Sequence, residues 1–168
     1  MKTTEWLLAQ LESEAPRTRR ALEHVPEGRD DWKPHDKSMP LGRLAMLVAT
    51  IPTWVNLIVN QDELDVAPKA GHPDRKPLRT RRELIEAHDK AVEEARRTLR
   101  AASDEHLKTP WRLLAGGEVK SEEPREVVLR DTMMHMAHHR GQLTVYLRLN
   151  DALVPSIYGP TADDKQFA

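Results

Sequence analysis

Four stretches of this chain carry apolar residues at helical spacing with hardly a glycine inside them, and that pattern restricts the fold more than any other feature. The first runs from about Thr4 to His24, with Leu7, Leu11, Thr18, Leu22 and Val25 on one face. Thr3 or Thr4 is expected to cap its start. Pro16 lies inside it and predicts a kink or a break near Ala15. The second runs from about Pro40 to Asn60, with Leu41, Leu44, Ala45, Val48 and Ile51 as its stripe. Ser38 is its expected N-cap, and Pro52 is expected to bend it. The third runs from about Thr80 to Ala101 and opens with Thr80-x-x-Glu83, a capping box. The fourth runs from about Pro124, suited to a first helical turn, to Asn150, a natural stop.

The connections are long. Pro26 to Met39, Gln61 to Arg79 and Ser103 to Glu123 hold most of the remaining prolines and glycines. Within the last, Trp111-Arg-Leu-Leu followed by Gly116-Gly117 suits a short hairpin. Little else has β-character. The expected fold is all-α: one domain over residues 1–168, a four-helix bundle with long crossover connections.

The chain has no cysteine, which excludes disulfides, thiolate metal sites and cysteine nucleophiles. Its 26 basic and 27 acidic residues leave a net charge of −1, so no general field draws it to nucleic acid. The start carries Lys2, Glu5 and Gln10 and does not read as a signal peptide. The most apolar run, Leu44 to Val59, is broken by Thr50, Pro52, Thr53 and Asn56 and falls short of the roughly 20 residues that span a bilayer. A cytoplasmic protein without nucleic-acid or membrane partners is expected.

The chemistry concentrates on the fourth helix, in His135-Met-Ala-His138-His139-Arg140-Gly141-Gln142. His135 and His139 are four apart, about 40° around a helix, a spacing at which two imidazoles can grip one ion. Val128, Thr132, Leu143 and Tyr146 fall on the same side. Arg130, Arg140 and Arg148 read as the exposed side, so the pair is expected to point into the bundle. Asp131 and Gln142 lie within a turn of the pair and could orient a ligand, and Tyr146 could add a polar contact. His138 is at the edge of this face. His88, alone in the third stripe, is either a hydrogen-bonded core histidine or a third metal ligand reaching across. His24, His35, His72 and His106 sit near helix ends or in loops, as solvent-facing or capping residues. Trp32, Trp54 and Trp111 read as core anchors. Arg19-Arg20 and Arg96-Arg97 have acids nearby and read as solvated faces. Phosphate loops, serine-nucleophile elbows and His-Glu-x-x-His are absent from the sequence.

The run His135-x-x-x-His139-Arg-Gly-Gln142 followed by Tyr146-Leu-Arg148 resembles the last-helix signature of the DinB superfamily. Trp32-Lys-Pro-His-Asp-Lys-Ser38, then Leu41-Gly-x-Leu-Ala45, resembles that family's entry to its second helix, and Val154-Pro-Ser-Ile-Tyr-Gly159 resembles its ending. The resemblance spans about Met1 to Pro160. It implies a four-helix bundle with an overhand crossover, often a homodimer. It also implies a divalent metal, typically nickel or zinc, held by one histidine of the second helix and two of the last. Related members are transferases or isomerases that use small thiols such as bacillithiol or mycothiol. In this chain Leu44-Ala-Met-Leu47-Val-Ala49 places Leu47 where the family has its second-helix histidine, and no His, Asp, Glu or Cys lies elsewhere between Leu41 and Asn60.

Two imidazoles alone hold a metal weakly, since catalytic zinc keeps about three protein ligands. Three readings therefore stand. One is a metal-dependent, thiol-using enzyme at His135 and His139, completed by His88 or another group. A second is a metal-free bundle that binds a small molecule with His135, His139, Gln142 and Tyr146. A third is a structural homodimer.

Overall fold

The structure, a computed structural model, describes residues 2–71 and 76–166. Six helices and three short strands follow in the order α1 (Thr3–Leu22), α2 (Leu41–Thr50), α3 (Thr53–Asn60), β1 (Glu63–Asp65), α4 (Arg81–Ala101), α5 (Asp104–Leu107), β2 (Pro110–Ala115), β3 (Glu118–Pro124) and α6 (Arg125–Leu149). The molecule is mostly helical, with α4 and α6 as long partners against which α1, α2 and α3 all pack. A small sheet at one end departs from the pure helical bundle expected. The β2–β3 hairpin turns at Gly116-Gly117, both with positive φ, as a two-residue turn between twisted strands requires. β1 adds to it in parallel, Glu63 opposite Arg112 and Asp65 opposite Leu114. The Asp65 carboxylate accepts from the backbone N–H groups of Gly116 and Gly117, which ties the turn to β1.

The helix ends correct several expectations. The second helical stretch is two helices, bent by 52° at Ile51-Pro52. α1 runs unbroken through Pro16. Neither Thr3 nor Thr4 caps α1; both donate their backbone N–H to the carboxylate of Asp104, about a hundred residues away in sequence. Ser38 does not cap α2. The free N–H groups of Leu41 and Gly42 instead donate to the carbonyls of Trp32 and Asp30. Gly42 is required there, because a Cβ would stand 2.9 Å from Asp30 Oδ1. The Thr80–Glu83 capping box opens α4 as expected. Arg96 binds Glu12 and Glu93, and Arg19 binds Asp89, so the solvated basic faces also join α1 to α4.

The core forms two apolar clusters along the bundle. One joins the start of α1, α3, the end of α4, Trp111 and the start of α6; the other joins the end of α1, α2, Leu84 and the end of α6. Two arginines of α6 are buried among them. Arg125 reaches Thr109, Pro110, Gln61 and Asp62. Arg140, only 1% exposed, meets Glu14, Thr18 Oγ1 and Tyr158. Burial pushes the Glu14 carboxyl up, but hydrogen bonds from Arg140 and Tyr158 outweigh it, and its pKa falls below the usual 4.5. Residues 152–166 fold back over α1, held by Arg20 on Asp164 and Arg17 on the Ile157 carbonyl. No single described helix is long and apolar enough to cross a membrane.

His88 is a core histidine of α4, 1% exposed, with Nε2 on the Ala15 carbonyl at 3.1 Å. Burial holds its pKa below the ordinary 6.5. The unfolded chain therefore binds more protons than the folded one below pH 6.5, so His88 costs stability as the pH falls below that value and not above it. Thermal melts from about pH 7 to about pH 5 should show a Tm that declines less steeply in His88→Gln than in the parent, whatever its Tm at neutral pH. Parallel slopes would contradict this. Arg140→Ala removes the buried guanidinium from Glu14, which keeps Arg17 and Tyr158 as partners, and is expected to cost about 3 kcal/mol in urea unfolding, whereas a loss under about 1 kcal/mol would contradict the burial of that pair.

Candidate functional site

The rotation of α6 decides where its histidines point. At about 100° per residue, Arg125, Leu129, Met136, Arg140, Leu143 and Leu147 fall within a sector about 60° wide. All six are buried. His139 falls roughly 70°, and His135 roughly 110°, from the middle of that sector. The pair therefore does not point into the bundle. His135 is exposed and His139 half-buried, at the border between core and surface. Arg130 and Arg148 are exposed as expected, but Arg140 is buried, and its side of the helix is the one turned to the core.

At that border the two imidazoles meet, with His139 Nε2 2.8 Å from His135 Nε2. His139 Nδ1 lies 2.7 Å from Gln142 Oε1, an acceptor, so Nδ1 carries the proton and Nε2 presents a lone pair to the Nε2–H of His135. Trp54 of α3 leans on the other side of His135, ring centroids 5.0 Å apart. Partial burial, then the neighbouring His139 and His138, hold the His135 pKa below 6.5. His135 is therefore largely neutral near pH 7.

His135 also forms part of the rim of a groove of about 390 Å³ between α3, the sheet and α6. Trp54, Leu57 and Ile58 of α3, Leu64 of β1, Trp111 and Leu113 of β2, and Val128 of α6 supply most of its apolar lining. Ser121, Glu123, Asp131, Thr132 and His135 supply the polar groups. The Trp111 indole Nε1 is buried without an acceptor among the described residues. Arg125, at the junction of α3, β2 and α6, holds the three walls in register. Sequence reasoning missed this groove. Trp54 and Trp111 were visible as anchors, but the pairing of β1 with β2 that builds one wall has no local signal.

The other expected site residues separate. Asp131 is exposed on the groove rim and pairs with Arg130. Tyr146 lies in the other core cluster, its hydroxyl donating to the Met39 carbonyl and its ring against Trp32. His88 spends its Nε2 on Ala15 and has no contact with the pair. Leu47 packs against the apolar cluster that contains Met133 and Met136. His106 donates to the Val59 carbonyl at the end of α3, His35 accepts from the Lys37 N–H, and His72 lies outside the described residues. Among the described residues, no group of three or more His, Cys, Asp or Glu is placed to hold a metal ion. The donor set thus does not fit a three-histidine centre.

The structure is similar to two crystal structures of DinB-like proteins. One, from Bacillus cereus ATCC 10987, is 21% identical with a TM-score of 0.70, over 92% of this chain and 97% of that one. The other, from Bacillus subtilis, is 19% identical with a TM-score of 0.65, over 87% of this chain and 92% of that one. At these identities the likeness speaks for the fold alone. No curated protein matches the sequence. The model of the DinB family matches residues 1–166, nearly the whole chain, and the chain belongs to the DinB family.

Proposed function

We propose that this DinB-family chain is a metal-independent binding protein for a small, largely apolar molecule, taken up in the groove between α3, the sheet and α6. The groove itself carries the reading: about 390 Å³, within the range of small-ligand pockets, with apolar walls from three elements and a few polar groups on the rim. One feature supports it further. The Gln142–His139–His135 chain fixes the tautomers at the rim, so a bound molecule meets an oriented imidazole.

A neutral solvatochromic dye such as Nile red tests the site. It should brighten and shift to the blue with the parent protein, and Ser121→Trp, an exposed substitution that fills the mouth, should weaken its binding on the order of tenfold. An unchanged dye affinity in Ser121→Trp with the fold intact would contradict the reading.

One observation favours a second reading, a divalent metal on the last helix. The Nε2 atoms of His135 and His139 converge to 2.8 Å, not far from the roughly 3.3 Å separating two imidazole ligands on a tetrahedral zinc. The remaining donors would have to come from water or a bound molecule, which makes the site weak. Elemental analysis of untagged protein purified without chelators separates the readings. Near-stoichiometric zinc or nickel that disappears in His135→Ala/His139→Ala supports the metal; metal-free protein that still binds the dye supports the groove alone.

A further inference from the structure

We infer that the molecule taken by this groove is an organic cation, an ammonium group on an aromatic or aliphatic body, rather than a carboxylate, phosphate or other anion. The inference rests on the groove being a ligand site and adds the charge of what enters it. The formal charges among the groove residues are Glu123 on β3 and Asp131 on α6, one from the sheet wall and one from the helix wall; no Lys or Arg is among them. Glu123 has no ion pair among the described residues. Asp131 pairs with Arg130, an exposed contact in which both side chains are about half solvent-accessible. Such a pair contributes little and leaves the carboxylate available to a better-placed cation.

The neighbouring chemistry points the same way. Trp54 stands at the rim beside His135, and an indole face attracts an ammonium ion. An apolar body would bury against Leu113, Val128 and Trp111 while the cation stays at the wet rim that carries the carboxylates, so neither charge is stripped of water without a partner. An anion in the same pose would meet two like charges, and no Lys or Arg lines the groove to offset them.

Three molecules of one shape and different charge test this: phenylpropylamine, phenylpropanol and phenylpropanoate, titrated into the full chain by calorimetry or through tryptophan fluorescence. The amine should bind on the order of tenfold more tightly than the carboxylate, with the alcohol between them. The gap should narrow as salt is raised. Glu123→Gln/Asp131→Asn, both at exposed positions, should bring the three affinities within about twofold of each other. Equal affinities in the parent, or a preference for the carboxylate, would overturn the inference and leave the groove standing as a site for neutral or anionic ligands. An amine preference that survives in the double variant would place the cation elsewhere and overturn it too. Binding of none of the three while Nile red still binds would overturn this inference and leave the groove reading standing; failure of Nile red to bind as well would take down both.

Discussion

Two buried guanidinium groups set the rotation of the last helix, and the rest of the arrangement follows from that. Arg125 and Arg140 lie on one face of α6, and each is enclosed by partners from other elements: the end of α3 and the start of β2 for Arg125, α1 and the C-terminal segment for Arg140. A buried charge without partners is expensive, so a small rotation of α6 that exposed one arginine would break its bonds to Glu14 and Thr18, or to the Pro110 and Gln61 carbonyls. With the arginines turned inward, His135 and His139 come round to the flank, where α3 and the sheet meet them. The face that a helix turns to its core is usually read from its apolar residues; on α6 the deciding residues are charged.

This explains why the last-helix motif has its effect here as a unit. His139 and Arg140 are adjacent yet serve opposite ends: Arg140 locks α1 and the C-terminal segment onto the bundle, and its neighbour carries the imidazole that meets His135 and Gln142. The replacement of the expected second-helix histidine by Leu47 fits the same arrangement. Leu47 contributes apolar packing beside Met133 and Met136, and no ligand crosses from α2 to the pair. The polar chemistry of this end of the molecule lies at the rim shared by His135, Trp54 and Asp131.

Local signals in the sequence were read well, and non-local ones were not. Thr80 and Glu83 announced their helix start because capping is settled within four residues. Gly116-Gly117 announced the hairpin because the turn needs positive φ at both positions. Pro52 announced the bend between α2 and α3. By contrast, α1 takes its cap from Asp104, the α2 start takes its acceptors from the Trp32 and Asp30 carbonyls, and β1 pairs with a strand some fifty residues later; none of these has a nearby pattern. Pro16 predicted a kink or a break, and α1 continues through it as one helix. The rule that charges are exposed puts Arg140 on the surface, and with Val128, Thr132, Leu143 and Tyr146 on the other side it points the histidine pair inward; the burial of Arg140 turns the pair to the flank. The groove was invisible for the same reason as β1, since its walls are joined only by the tertiary fold.

The account depends most on His135 and His139 forming an oriented, bonded pair at the groove rim, and long-range proton–nitrogen NMR of the imidazole rings in metal-free protein near neutral pH reads that directly. The structure predicts His139 protonated at Nδ1, His135 protonated at Nε2, and a nuclear Overhauser contact between the His135 ring and the Trp54 indole. Rapidly averaged tautomers on both rings, like those of a free surface histidine, with no contact to Trp54, would contradict it.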